Sequence, residues 1–74
     1  MLLPDPVKLR AARMRRRLRK ETVAVDIGST FPSLTAYESG TASPSARVLL
    51  ALAACYGVPV ESLCSDTDVP VGAR

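Results

Sequence analysis

The sequence predicts an all-α fold, a compact domain of five helices, and three observations carry that reading. Helix-start signals recur as Asp5-Pro6, Thr30 before Phe31-Pro32, and Ser43-Pro44, while Gly28, Gly40 and Gly57 stand where helices should stop. Apolar residues fall at helical spacing, most clearly Val48, Leu49, Leu52, Ala53 and Tyr56. No alternating β-branched run follows Val25. With 74 residues the chain is one small domain at most, and 47% hydrophobic residues set it apart from disordered tails. The aromatics are only Phe31, Tyr37 and Tyr56, so the core must be filled mainly by Leu, Val, Ile and Ala.

Asp5 as N-cap and Pro6 at the first helical position open a first helix predicted over residues 6–19. Its simplest apolar stripe is Val7, Ala11, Met14 and Leu18. A second helix spans residues 20–27, with Ala24 and Ile27 as an i, i+3 pair, and Gly28 supplies the positive φ that ends it. Thr30 then caps a third helix over residues 31–39, closed by Gly40. Its inner side is Leu34 and Tyr37, and its outward face is Phe31, Pro32, Ser33, Thr35 and Ala36. Residues 40–43 form a loop, a fourth helix runs over residues 44–56 to Gly57, and a short fifth turns Val60 and Leu63 inward. The organisation is a lead over residues 1–6, a helical domain over 7–64 and a flexible tail over 65–74, which orders, if at all, on dimerisation.

The net charge is +3, and its distribution says more than its size. Eight of the ten basic residues lie at Lys8, Arg10, Arg13, Arg15, Arg16, Arg17, Arg19 and Lys20, with no acid between Asp5 and Glu21. Such a block repels itself and calls for an acidic partner, a nucleic-acid backbone above all. Two cysteines and no histidine argue against a disulfide framework and a metal site. Cys55 reads as a small core hydrophobe and Cys64 as an exposed thiol. Neither a nucleophile–base pair nor a glycine-rich phosphate loop can be assembled, so no enzyme, cofactor or small-molecule substrate is expected. Met1-Leu2-Leu3 runs straight into Pro4-Asp5-Pro6, which makes neither a signal peptide nor a membrane span; the expected compartment is the cytoplasm.

One spacing is more specific than any of these signals. Ala24, Ile27-Gly28, Leu34, Tyr37-Glu38 and Gly40 make A-x-x-I-G-x-x-x-x-x-L-x-x-Y-E-x-G, and Pro44 follows four residues later. Leu49 to Leu63 then read L-x-x-L-A-x-x-Y-G-V-x-x-x-x-L. Over roughly residues 9–63 this pattern resembles the Cro/CI-type helix-turn-helix repressors of phages and bacteria. The resemblance implies a different register for the first helix, with Leu9, Ala12 and Arg13 inward, so two registers stand open. It also implies an ion pair between Arg13 and Glu38, with Arg15 or Arg16 taking Arg13's part if the helix is shifted. Where that family has an apolar residue, often a nearby Gly, and a Ser or Thr cap on helix 2, this chain has Arg16, Arg17 and Arg19.

The resemblance makes the third helix the recognition helix, with double-stranded DNA as its partner. The base-contact candidates are Phe31, Pro32, Ser33, Thr35 and Ala36. The chain contains no Asn or Gln, and this helix has no Arg or Lys, so direct reading falls to hydroxyls and to apolar contact with thymine methyl groups. Specificity then rests on DNA shape or on an arginine from elsewhere. Packing against helix 2 is an equally good account of Phe31. Candidate phosphate contacts are Arg16, Arg17, Arg19, Lys20, Thr30, Thr41 and Ser43; Thr30 is expected to serve first as an N-cap.

The expected function is a small transcriptional repressor binding a pseudo-palindromic site as a homodimer. Association runs through the fifth helix and the tail, with Val69 and Val71 as anchors, or occurs only on DNA. Two alternatives stand beside it: a protein-binding module using Phe31, and an excision or directionality factor that bends DNA with little base reading.

Overall fold

The computed structural model describes residues 1–66. Four helices and one two-stranded ribbon make up the fold: β1 (Leu2–Pro4), α1 (Pro6–Arg15), α2 (Lys20–Asp26), α3 (Phe31–Ser39), α4 (Ala46–Tyr56), a 3₁₀ turn at Val60–Leu63, and β2 (Cys64–Asp66). The compact, mostly helical fold expected from the sequence is present, and the all-α, five-helix expectation is corrected in two details. The fifth element is a 3₁₀ turn, and a small antiparallel sheet joins the two ends of the described chain in the register Leu2↔Asp66, Leu3↔Ser65 and Pro4↔Cys64. Ser65 and Asp66, expected in a flexible tail, are paired in β2, and the expected lead is β1. The remaining tail, with Val69 and Val71, lies outside the described residues.

Asp5 is the hinge between ribbon and helix. Its backbone N–H donates to the Leu63 carbonyl at 2.9 Å, and its carboxylate accepts from Val7 N at 2.9 Å and Lys8 N at 3.4 Å, capping α1. The Ser65 hydroxyl donates to the other carboxylate oxygen. That hydrogen bond above all, with the two backbone donors, holds the Asp5 carboxyl below its ordinary value of 3.8.

The first helix ends four residues before its predicted stop. Arg17 takes a left-handed φ of 57°, Arg17 N donates to the Met14 carbonyl at 2.9 Å and Leu18 N to the Arg13 carbonyl at 3.2 Å, which is a Schellman closure. Gly28, at φ 68°, closes α2 the same way, with Ser29 N donating to the Ala24 carbonyl at 2.8 Å. Arg17 is the one non-glycine at a positive φ among the described residues.

Of the two registers open for α1, burial selects Leu9 and Ala12; Val7 and Met14 are exposed. These inward residues meet Val23 of α2 and Ile27 at its C-cap, Leu34 of α3, Val48, Leu52, Ala53 and Tyr56 of α4, and Leu63 in one core. The fourth helix starts two residues late. Ser45 rather than Ser43 caps it, accepting from Val48 N at 3.2 Å, while Pro44 is buried ahead of the cap. The thiols also exchange places: Cys64 is buried, and Cys55 is half-exposed with its Sγ 3.9 Å from Asp26 Oδ2. Burial and the Asp26 carboxylate push the Cys55 thiol upward. No helix among the described residues is long and apolar enough to cross a membrane.

Candidate nucleic-acid interface

Local sequence sets the start of α3. Thr30 Oγ1 accepts from Ser33 N at 3.1 Å and donates to Ser33 Oγ at 3.0 Å, and Pro32 sits in the first turn, where its missing N–H has no helical partner to lose. Gly40 ends the helix at φ 85°. Leu34 alone of this helix is fully buried; Phe31 and Pro32 are exposed, and Ser33, Thr35 and Ala36 are half-buried. Thr30, Thr41 and Ser43 are exposed beyond the two ends of this helix. Thr41 Oγ1 is tied to Ser39 Oγ at 3.1 Å, and Ser39 Oγ donates to the Ala36 carbonyl at 3.2 Å.

The C-terminal end of α3 is anchored to α1. Arg13 Nε donates to Glu38 Oε2 at 2.7 Å and Arg13 Nη2 to Glu38 Oε1 at 3.0 Å, with side-chain exposures of only 11% and 4%. The third arm of the guanidinium, Nη1, donates to the Leu18 carbonyl at 2.8 Å and so braces the α1–α2 junction as well. The Glu38 hydrogen bond holds the Arg13 guanidinium even more firmly protonated than usual.

The basic block divides by partner. Lys8 Nζ donates to the Cys64 carbonyl at 2.9 Å, and the Arg16 guanidinium lies against Gly57 at the C-terminal end of α4, where the helix dipole favours a cation. Arg13 and Lys8 are therefore tied to the scaffold, while Arg16, Arg17 and Arg19 are exposed at the α1–α2 junction, Arg16 on the side of Gly57. Lys20, the first residue of α2, does something the sequence did not signal. Its Nζ lies 3.4 Å from Thr35 Oγ1 and 5.5 Å from the centroid of the Phe31 ring, so α2 places a cation directly beside the outward face of α3.

Two helices joined by a tight glycine turn, the second presenting an exposed N-terminal turn, are matched over residues 7–63 by a family model described as a helix-turn-helix domain. The chain belongs to the helix-turn-helix domain family. Over 67 residues this domain is 41% identical to the cryptic phage CTXphi transcriptional repressor RstR of Vibrio cholerae, an alignment covering 90% of this chain and 60% of the relative. The chain thus spans about three fifths of the length of that curated relative. Among solved structures it is similar to the restriction-modification controller protein C.AhdI from Aeromonas hydrophila, at 26% identity with a TM-score of 0.74 over 78% of this chain and 88% of that one. The Cro/CI-type resemblance read from the Ala24 to Gly40 spacing is borne out by these matches.

Within this helix-turn-helix domain, Lys20 is brought beside Phe31 and Thr35. Arg16 is drawn instead to the end of α4. The link between Lys20 and Thr35 spans fifteen residues, and only the helix crossing reveals it.

Proposed function

We propose that this chain binds double-stranded DNA sequence-specifically as a small transcriptional repressor, with α3 in the major groove and the α1–α2 junction on the phosphates. The observation that carries the reading is the exposed N-terminal turn of α3, capped by Thr30, on a helix whose C-terminal end is held to α1 by the Arg13–Glu38 fork. A helix presented this way places Phe31, Pro32, Ser33, Thr35 and Ala36 at base edges. Ser33 accepts from Thr30, which leaves its own hydroxyl hydrogen to donate to a base or phosphate. Arg17 and Arg19, exposed on the α1–α2 junction, and the hydroxyls of Thr30, Thr41 and Ser43 meet the backbone, while Lys20 stands beside Phe31 and Thr35. Arg16 contributes charge rather than a direct contact.

The repressor reading extends to a homodimer, in solution or formed on DNA, engaging half-sites about one helical turn (~34 Å) apart. It is a non-enzymatic, cytoplasmic regulator that uses no cofactor. Support comes from the name of the RstR relative, a phage transcriptional repressor, and from that of C.AhdI, a controller protein.

One observation favours a second reading, a protein-binding module: Phe31 is 45% exposed and has no Asn or Gln beside it to read bases. Salt separates the two. A DNA binder neutralising ~5 phosphates loses affinity with a log–log slope of about −0.9 per contact, whereas an apolar protein interface is nearly indifferent. Titrating a duplex at several salt concentrations therefore tests the proposal, and a flat dependence or no binding would overturn it. A measured bend with no base preference would instead indicate a DNA-bending factor.

A further inference from the structure

The outward face of α3 carries no side chain that pairs a base bidentately, yet a cation from the neighbouring helix is fixed beside it. Resting on the reading that α3 enters the major groove, we propose that Lys20 and Thr35 act as one composite reader of a guanine, so that α2 supplies the base-reading cation the recognition helix lacks.

The geometry comes from three residues. Lys20 is half-buried, and its Nζ lies 3.4 Å from Thr35 Oγ1 and 5.5 Å from the Phe31 ring centroid. An ammonium group has three donors and no acceptor, so toward Thr35 it can only donate. The Thr35 oxygen is then the acceptor, and its own hydroxyl hydrogen is left to donate to a base. Two donors stand side by side, one from each helix.

That pair selects among the bases. Guanine presents two adjacent acceptors, N7 and O6, in the major groove; adenine presents an acceptor and a donor, and cytosine a donor. Thymine offers a single acceptor, O4, beside its methyl group, so guanine alone gives each of the two donors an acceptor of its own. Phe31, whose ring face holds the ammonium, is left as an apolar neighbour for a thymine methyl group on the flanking base pair.

A lysine serving phosphates alone gains nothing from this tether. Phosphate contact is a point-charge interaction that a freely swinging side chain satisfies, as exposed Arg19 can one position earlier. Holding Lys20 against Thr35 and Phe31 takes away that sweep and fixes the charge over the groups aimed at the base edges.

The test is competition against a panel of duplexes in which each base pair of the site selected by the wild-type chain is changed in turn. It compares wild type, Lys20→Met, Lys20→Arg and Arg19→Ala, each checked for native helical content. Lys20→Met is expected to lose about tenfold of its discrimination at one guanine position and to keep it elsewhere. Lys20→Arg should keep the guanine preference, and Arg19→Ala should weaken every duplex alike. If Lys20→Met weakens all duplexes by one common factor, with the salt slope reduced by about 0.9, Lys20 is a phosphate contact and the inference is overturned. A wild-type chain that does not discriminate among the duplexes at all would overturn the underlying DNA-reading proposal, and this inference with it.

Discussion

Arg13 and Glu38 meet in a two-pronged ion pair, 2.7 and 3.0 Å, that fixes the C-terminal end of α3 to α1. Because both groups are nearly out of water, stranding either one is costlier than removing both. Arg13→Ala and Glu38→Ala should each lose about 3–5 kcal/mol in urea denaturation, whereas the double variant Arg13→Met with Glu38→Leu should lose clearly less than either. Additive losses across the cycle would mean that the pair is not coupled.

Arg17 occupies a left-handed position that costs a side chain about 1–2 kcal/mol relative to glycine. Arg17→Gly should therefore raise stability by about 1 kcal/mol after the glycine's extra unfolded-state entropy is subtracted. The same variant should bind duplex DNA less tightly, with the salt slope reduced by about 0.9. A more stable variant with unchanged salt dependence would remove Arg17 from the phosphate contacts.

Asp5 makes stability sensitive to acid. Its carboxyl sits below 3.8 in the folded chain, so the contribution is present above pH 3.8 and is lost as pH falls through the lower, folded value. Asparagine caps a helix about as well as aspartate but does not titrate. Asp5→Asn should keep most of the stability at neutral pH and flatten the acid limb of a Tm-against-pH profile, while Asp5→Ala should lose about 1 kcal/mol at neutral pH.

Tyr56 brings its hydroxyl into the core with no hydrogen-bond partner among the described residues, and burial, with Glu38 nearby, pushes its ionisation far above the ordinary 10. The unfolded phenol ionises near 10 and the folded one does not, so wild-type stability should fall as pH rises past that value. Tyr56→Phe should abolish that alkaline loss and leave stability at pH 7 unchanged or higher by about 1 kcal/mol. A large destabilisation in thermal melts would show that the hydroxyl is satisfied in solution.

What the sequence made legible was local. Helix α3 could be read residue by residue because Thr30, Pro32 and Gly40 are start and stop signals that act within one turn. The end of α1 could not, since an arginine at a left-handed position carries no signal and continues a helical pattern as well as any residue. Ser43 and Ser45 are equivalent as caps in sequence, and only the burial of Pro44 chooses between them. The β1–β2 ribbon escaped because three-residue strands show no periodicity and their pairing spans nearly the whole described chain. At the candidate interface, the outward face of α3 followed from helical spacing. The division of the basic block into scaffold and surface did not, because Lys8 finds its partner at Cys64, far along the chain.

The central claim is that α3 reads sequence in duplex DNA, and selection from a random duplex pool, performed at two salt concentrations, tests it most directly. The account predicts enrichment of a two-fold-related motif, weakened at the higher salt and lost when Thr35→Ala removes the hydroxyl from the reading face. Salt-sensitive retention of the pool with no enriched motif would contradict it, leaving a basic surface that binds the backbone and a helix that does not read bases.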